Sequence, residues 1–466
     1  MSSLNKVQFK KCNVTPDQEV KFQKGQSSDS QQSGLTAESI TSKIWAFDYF
    51  EDILSPAITC YIRVSDTTNM LSRIPLRGYE RVDLTIGTNN GDISFGSGDD
   101  KDNPLYITGI EEVNKNENQE IFTICCSSLQ NLMNETVRCQ ERYKNAEVST
   151  HVEKILKDVL MVPEDRYSIE KSATKYEFIG NTRKPFYLIT WLCPKAQPAK
   201  TGKVGGTSGF VFYEDYDGFK FRSVDNLIAS TENVDSNLLV GKGDDAPSIE
   251  TYTFTSFIDG ADEDGNDHKI IHHYIDKTTN LQKNLRVGLY SNLTYFFNPN
   301  DWSTNVIHHK LKDELDQEGM STTGDQIPIP AGDITNFASR LLVRVGDKGM
   351  LQPSLKTDDD GDPEGSGRQD EDMARAFSRY TLLFTQSLNI TVPCNIRLRA
   401  GNVIKIVVPK SGPSDSSNSA GKVDQKEVDQ TLSGFYLIRS LRHHFELKEG
   451  SNVTSLNLIR DSFGLN

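Results

Sequence analysis

Three adjacent histidine pairs are the most conspicuous candidates for metal chemistry in this sequence. They are His272-His273, His308-His309 and His443-His444. Imidazole nitrogen is a common ligand of zinc, copper and nickel, so pairs that met in space could hold a transition metal. Neighbouring residues on a β-strand, however, point to opposite faces of the sheet, so one pair cannot easily chelate a single ion. We therefore expect ordinary strand histidines.

Two acidic loops carry part of the spacing of a calcium-binding EF-hand. They are Asp259–Asp267 and Asp358–Asp372, and each has two aspartates shortly before a glycine. In the first loop, Gly260 and Ile271 stand where the pattern needs an acidic residue and a bidentate glutamate. The second loop fails at the same two positions. Solvated acidic loops are the better interpretation.

The sequence contains no short motif of a common catalytic or nucleotide-binding site. There is no G-x-S-x-G, no H-E-x-x-H and no Walker loop. The stretch Gly202–Gly209 contains Gly-Lys without the spacing of a phosphate-binding loop and favours a surface loop. No carboxylate pair can be singled out as acid and base, because the separation that matters is spatial. We predict no catalytic, cofactor-binding or metal-binding residues and no cofactor.

The composition predicts an acidic protein with several packed domains. The 466 residues are about three times the ~150-residue prior for one domain. The chain is 36% hydrophobic and 25% charged, which is enough for real cores. A net charge of −14 disfavours a general nucleic-acid binder, because phosphate contacts need a basic surface. Seven cysteines without C-x-x-C spacing favour free, mostly buried thiols in a reducing compartment.

No segment predicts attachment to a membrane or secretion. No apolar stretch approaches the ~20 residues that span a bilayer. Residues Met1–Gln18 have no apolar core of a secretory signal. We expect synthesis in a cytoplasm and no stable membrane insertion.

The predicted strands and helices, which would position any functional site, begin after a polar N-terminal stretch. Residues 1–35 are rich in Gln, Ser and Lys and predict a flexible arm. Residues 36–130 show short alternating strands, of which Ile58–Val64 is typical. Leu105–Val113 and Glu120–Cys126 predict a hairpin. These patterns indicate a first antiparallel β-barrel.

Residues 131–240 predict a small α+β module. Val148–Leu160 has the apolar spacing of an amphipathic helix. Lys184–Leu192 predicts a second helix. Phe210–Phe221 predicts an aromatic hairpin around Asp217-Gly218, a strong turn signal.

Residues 241–466 predict a second β-barrel with acidic insert loops at about 259–267 and 354–372. Its predicted elements are a strand around Tyr252–Ile258, a long strand Leu285–Phe297, a helix Met373–Leu388 and strands Ile396–Val408, Gly434–Leu447 and Val453–Arg460. A weak internal repeat joins the two barrels, since Leu105-Tyr106-Ile107 and Phe435-Tyr436-Leu437 each precede a hairpin. The predicted fold is mainly β, with two tandem tube-like antiparallel barrels and the α+β module between them.

Two stretches resemble the central hub proteins of contractile phage-tail baseplates. Gly209–Leu227 (GFVFYEDYDGFKFRSVDNL) is similar to the family's aromatic hairpin, and Thr391–Gly464 is similar to its closing barrel. The latter contains LRAGNVI, SGFYLI, HHF and LIRDSFG. Trp45–Val64 resembles the family's first tube strands. The sequence departs from the family in its arm, its acidic loops and Cys394 after Pro393, where hubs often have Gly.

The resemblance implies a structural protein of the virion tail baseplate, assembled in the host cytoplasm. Hubs of this type are homotrimers in which each chain supplies two tube-like barrels, so that six barrels adapt a three-fold central spike to a six-fold tail tube. Further implied partners are baseplate wedge components and a tape-measure protein, with DNA passing through without specific binding. The family has no catalytic residues.

Two alternatives stay open at this point. The first is the hub-like base of a type VI secretion or tailocin spike, and the second is a β-rich enzyme that degrades cell walls. A further hypothesis concerns charge: three copies carry three times −14, and an acidic channel lining would repel DNA.

Overall fold

The structure is a computed structural model that describes most of the chain. It describes residues 7–15, 37–73, 76–88, 91–96, 103–199, 207–229, 249–254, 267–277, 280–297, 304–315, 320–324, 332–345, 369–410, 428–447 and 452–464, with positions 299, 302, 327, 329 and 330. The predicted acidic loops at 259–267 and 354–372 lie almost wholly outside these residues.

Twenty-two strands dominate the described structure. They are β1 (Val7–Thr15), β2 (Glu38–Ser39), β3 (Ile44–Asp52), β4 (Thr59–Asp66), β5 (Arg81–Thr88), β6 (Gly91–Phe95), β7 (Leu105–Lys115), β8 (Glu120–Ser127), β9 (Arg142–Glu147), β10 (Tyr167–Ile169), β11 (Lys175–Ile179), β12 (Phe210–Asp215), β13 (Gly218–Ser223), β14 (Thr251–Thr253), β15 (His272–Lys277), β16 (Ser291–Phe297), β17 (Thr304–Lys310), β18 (Arg340–Val345), β19 (Gln386–Pro393), β20 (Val403–Val407), β21 (Gly434–Glu446) and β22 (Val453–Arg460).

The α-helices are fewer and mostly short. They are α1 (Met70–Arg73), α2 (Leu129–Thr136), α3 (Val148–Lys154), α4 (Pro185–Leu192), α5 (Val224–Ala229), α6 (Leu281–Val287), α7 (Leu311–Leu315) and α8 (Gln369–Leu383). Helix α3 continues as a π-helical turn, Ile155–Val159. The predicted fold class, mainly β with an α+β insert, is confirmed.

The first β unit comprises residues 7–15 and 37–127. Its strands run in the order β3-β4-β8-β7-β5-β1, with β6 on β5. Side chains from the two ends of this order, Val14 of β1 and Phe47 of β3, belong to one core. The sheet therefore curls around that core as a barrel does.

The predicted flexible arm over 1–35 is wrong for Val7–Thr15. This strand pairs with β5 along its whole length, and Phe9, Cys12 and Val14 are buried. A bulge between Phe9 and Lys11 shifts the register. Because the bulge breaks the alternation of buried and exposed residues, the period-2 pattern is not visible in the sequence.

The module, residues 129–229, follows β8 directly. Its core collects apolar residues of α3, α4, β11 and the β12–β13 hairpin. The predicted helices and hairpin are all present, and Gly218 turns the hairpin with φ of +123°.

The second β unit comprises residues 249–277 and 369–464. Its strands run in the order β15-β19-β22-β21-β20-β14 around a core of their own. The predicted helix Met373–Leu388 begins and ends earlier, as α8, and the predicted strand Ile396–Val408 is shortened to β20.

An insert, residues 280–345, lies between β15 and β19. It contains a three-stranded sheet in the order β17-β16-β18. The predicted long strand Leu285–Phe297 is wrong in its first part, which belongs to helix α6. The Asn280 side chain caps the start of that helix, and Gly288 ends it with φ of +78°.

The two β units repeat the same strand order. In sequence order, β3, β4, β5, β7 and β8 of the first unit correspond to β15, β19, β20, β21 and β22 of the second, with the same neighbours in the sheet. Bulges after Ile107 in β7 and after Ile438 in β21 align these two strands. The repeat suggested by Leu105-Tyr106-Ile107 and Phe435-Tyr436-Leu437 is therefore present in the structure. The structural alignment of β7 with β21 differs by one residue from the alignment of these two triplets.

Candidate assembly surface

Eight antiparallel strands form one uninterrupted sheet across both β units. Their order is β15-β19-β22-β21-β3-β4-β8-β7. One face of this sheet packs on the two cores, and the other, which we call the polar face, carries polar and charged side chains together with aromatic ones. An open groove of about 710 Å³ on this face is lined by Phe50, Tyr61, Tyr274, Asn389, Arg442 and Asn457, among others.

The seam between the two β units is the ladder of β3 with β21. It pairs Ala46–Asp52 with Ser440–Glu446. On the polar face, Asp48 accepts hydrogen bonds from Arg442 Nε at 2.8 Å and from His444 Nδ1 at 2.6 Å. Arg63 Nη2 lies 3.6 Å from the same carboxylate. One buried aspartate thus links the two units by charge-assisted hydrogen bonds.

These contacts lower the pKa of Asp48. Burial by itself raises the pKa of this carboxyl, but the hydrogen bonds from His444 and Arg442 outweigh burial. A lowered pKa means that the seam gains stability above the ordinary pKa of an aspartate. That stability is lost as the pH falls through the lowered value.

The tip of the β12–β13 hairpin fits into the junction of the two β units. The backbone N–H of Tyr216 donates to Glu51 of β3 at 2.8 Å, and its hydroxyl bonds to the backbone of Ser94. The guanidinium of Arg399, from the second unit, lies 4.7 Å from the centre of the Tyr216 ring. Glu51 also accepts from the N–H of Ala400 at 2.8 Å. This tip therefore contacts both β units at once.

Two carboxyls at the junction are buried and have raised pKa values. Burial raises the pKa of Glu214 to about 7, against an opposing hydrogen bond from Ser128. Its Oε2 accepts from Ser128 Oγ at 2.7 Å and from the N–H of Ile58 at 3.2 Å, whereas its Oε1 has no hydrogen-bond partner. Burial likewise raises the pKa of Asp215 to about 7, opposed by Lys220. Burial therefore favours the protonated form of Glu214, whereas its two hydrogen bonds favour the ionised form.

A buried arginine joins the module to the second β unit on the other side. Arg379 of α8 donates to Asp461 at 2.7 Å, to Asp225 of α5 at 3.0 Å and to the carbonyl of Ser321 at 2.6 Å. Its side chain is 1% exposed and both aspartates are fully buried. Thr323 donates twice to Asp461, so that carboxylate is well satisfied.

The eight-strand sheet ends in two strands whose outer edges lack ladder partners within the described structure. Strand β15 pairs only with β19. Strand β7 pairs with β5 at Leu105 and Tyr106, and Ile107 bonds to the backbone of Tyr79 and Glu80, so only the part of β7 after Ile107 is paired on one side alone. An unpaired strand edge is a template for another chain.

The histidine pairs all lie on strands, as predicted. His443 is buried and stacks on Tyr49, and His308 contacts Ser291. Within the described residues, no group of three or more His, Cys, Asp or Glu side chains is arranged to hold a metal ion. The seven cysteines are free and buried, as predicted. None of the helices that the structure describes has the length and apolar character to cross a membrane.

Carboxylates outnumber arginines on the polar face. Its described carboxylates are Asp48, Asp52, Glu111, Glu112, Asp276 and Glu446, and its arginines are Arg63, Arg439 and Arg442. This excess is a small part of the net charge of −14 of the chain. The acidic channel lining stays a prediction.

Most residues of this surface could not be singled out in the sequence. Glu214 and Tyr216 lie inside the hairpin string that carries the family resemblance, and Asp461 lies in LIRDSFG. Arg379 and the Asp48–His444 contact gave no signal, because each depends on residues more than 80 positions away.

Comparison with known proteins finds no matching family model and no matching curated protein. Several solved structures are similar over nearly the whole chain. A tail protein from Neisseria meningitidis MC58 has a TM-score of 0.47 at 10% identity and covers 92% of this chain and 94% of its own. The 43 kDa tail protein of prophage MuSo2 from Shewanella oneidensis has 0.49 at 8%, covering 98% and 100%. Prophage tail protein gp18 from Listeria monocytogenes EGD-e has 0.42 at 8%, covering 92% of each.

All three neighbours are tail proteins, and two of them are prophage proteins.

Proposed function

We propose that this chain is a structural baseplate hub that forms a trimeric ring around a central channel. The ring adapts a three-fold spike to a six-fold tail tube. The observation that supports this most is the direct repeat of strand order, β15-β19-β22-β21 followed by β3-β4-β8-β7, within one sheet. A chain that holds two equivalent units can match both symmetries.

The seam inside the chain supplies a template for contact between copies. In the repeat, β21 corresponds to β7 and β3 corresponds to β15. The β21–β3 ladder is therefore the internal counterpart of a ladder between β7 of one copy and β15 of the next, and these two strands have the unpaired edges. Three copies joined in this way close a sheet of three times eight strands with six equivalent units and no free edge.

The proposed role is architectural. The spike and tube proteins would bind the two ends of the ring, and wedge components would bind its periphery. A tape-measure protein and DNA would pass through the bore, within the virion tail. The polar contacts of the junction hold parts of the chain together, and the described residues contain no group of three or more His, Cys, Asp or Glu side chains that could hold a metal ion. The chain is proposed to have no enzymatic activity.

The register of the seam predicts which residues meet between copies. If β15 and β7 of neighbouring copies pair in the same register as β3 and β21, Tyr274 of β15 lies opposite Val113 and Asn114 of β7. Tyr274 is 64% exposed and Val113 is 54% exposed, both unusual for large apolar side chains. Each would be covered in the ring.

A cross-link between these positions tests the proposal. The variant Val113→Cys with Tyr274→Cys, oxidised under mild conditions, should give covalent species of two and three chains, because all native cysteines are buried. Light scattering should give three times 52.2 kDa for the wild type. The matched control, Met161→Cys with Tyr274→Cys, uses an exposed position in the module and should stay uncross-linked. A wild-type chain that remains at 52.2 kDa, or equal cross-linking of the control, would contradict the ring.

A further inference from the structure

The sheet of the insert has an unusual distribution of polar and apolar side chains. Its inner face, toward α8, mixes Asn292, His309 and the arginines of β18 with the apolar Phe296, Ile307 and Leu342, and Arg340 lies over the Phe377 ring of α8 at 5.4 Å. Its outer face has nine positions in three cross-strand rows, and seven of them are apolar or aromatic. The nine are Leu293, His308 and Leu341, then Tyr295, Val306 and Val343, then Phe297, Thr304 and Val345.

This outer face is open in the isolated chain. Leu341, Val343 and Val345 are 58%, 66% and 70% exposed. A sheet with one solvated face normally has its polar residues on that face. Here the arginines of β18 are inside, and no Asp, Glu, Lys or Arg stands at the nine outer positions. Contact with apolar side chains of another surface fits this face.

The repeat shows where the insert lies in a ring. It occupies the connection between β15 and β19, which corresponds to the β3–β4 turn of the first unit. In that turn, the N–H of Ile53 donates to the carbonyl of Arg439 in β21, and the N–H of Ile58 donates to Glu214 of the module. The turn thus contacts the strand that precedes β3 in the sheet. In the ring, the strand that precedes β15 is β7 of the next copy.

We propose that the outer face of the insert sheet docks on the neighbouring copy of this chain, beside Thr108 of its β7 and along its helix α2. Thr108 is the bulge residue of β7 that corresponds to Arg439 of β21, and α2 packs beside β7. This inference rests on the proposed ring and adds a second contact to each boundary between copies.

The size of the boundary supports a second contact. Pairing of the six-residue β15 with one edge of β7 buries far less than the roughly 800 Å² per partner of a stable interface. The outer face of the insert offers an apolar patch of roughly 400 Å², within the size range of functional patches on monomers. Together the two surfaces approach the area that a permanent ring needs.

Charge substitutions on the outer face test this inference. The variant Leu341→Glu with Val343→Glu should raise the concentration for half-assembly of the trimer at least tenfold. Both side chains are exposed in the isolated chain, so its circular dichroism and thermal unfolding should be unchanged. The matched control Met161→Glu, equally exposed in the module, should leave assembly unchanged. An equally stable trimer in the double variant overturns the docking and leaves the ring intact, whereas a monomeric wild type overturns the ring itself.

A second measurement identifies the occupant directly. Val343→Cys labelled with benzophenone maleimide is mixed with isotopically labelled chains, so that links between copies have a distinct mass. Links to residues 103–136 of another copy support the docking. The docking is overturned if all links are confined to the same chain, including its residues 346–368. It is also overturned if water reacts with the probe equally in the isolated chain and in the assembled ring.

Discussion

Arg379 offers the sharpest test of how the module is fixed to the second β unit. Replacing it by Met keeps an unbranched side chain about as long as the arginine stem up to Nε, and leaves Asp225 and Asp461 buried without their shared counter-charge. Removing one partner of a buried ion pair typically costs about 3–5 kcal/mol, because the remaining charge cannot reach water. Here two carboxylates lose the same partner, so we expect a loss of at least about 3 kcal/mol in the free energy of unfolding.

The assay is urea unfolding followed by circular dichroism and by tryptophan fluorescence, to which Trp191 of the module contributes together with Trp45 and Trp302. The control is Arg142→Met, which removes an ion pair with Glu177 on the surface of the module, where the arginine side chain is 69% exposed. Such pairs contribute about 0–1 kcal/mol. The triple variant Arg379→Met, Asp225→Asn, Asp461→Asn removes the uncompensated charges and should recover part of the loss.

The reasoning has a clear point of failure. If Arg379→Met unfolds within about 1 kcal/mol of Arg142→Met, the buried network does not hold the module in place. If the triple variant is less stable than Arg379→Met alone, the loss arises from packing and not from unpaired charge.

Two further predictions concern the hairpin tip. Because burial raises the pKa of Glu214 to about 7, the folded state binds a proton that the unfolded state has released above its ordinary pKa of 4.5. Stability should therefore fall as the pH rises from 5 to 8, with roughly 3 kcal/mol of the loss from Glu214, and Glu214→Gln should remove that share in urea titrations at several pH values while the share of Asp215 remains. A dependence unchanged in Glu214→Gln would assign it to another group. Gly218→Ala should cost more than about 1 kcal/mol, because φ is +123° and a Cβ would stand 2.1 Å from the carbonyl oxygen of Arg166. Gly109→Ala, where nothing lies within 4 Å of the added atom, should be nearly neutral in the same thermal unfolding assay.

The sequence predicted those elements whose signals are local. Alternation identified β4, β21 and β22, and an Asp-Gly turn identified the β12–β13 hairpin. In each of these, local preference and tertiary burial agree. The predicted first and last residues of an element were less accurate where a β-bulge or a helix cap determines them, as at β1 and at α6.

The insert sheet shows why some of the fold could not be predicted. Strand β18 reads RLLVRV, with Leu341 and Val343 outside and the arginines inside. A rule that puts apolar residues toward the core assigns these faces the wrong way round. The exposed apolar residues that make this rule fail are also the strongest indication that the outer face contacts another surface.

The hairpin tip restricts the movement of the two repeated β units relative to each other. Two barrels joined by one ladder could bend about the β3–β21 seam, because an antiparallel pair of strands resists twisting weakly. The Tyr216 side chain restricts that movement, since its hydroxyl bonds to the backbone of Ser94 in the first unit and its ring lies under Arg399 of the second. The proposed ring needs this rigidity, because three copies would close only if the angle between units is fixed at one sixth of a turn. On this proposal, the string that carries the family resemblance sets the angle. Tyr216→Ala keeps the backbone bond to Glu51 and loses both side-chain contacts, so it should yield open or mixed oligomers in class-averaged micrographs even where both barrels remain folded. A uniform closed trimer from Tyr216→Ala would show that the seam alone fixes the geometry.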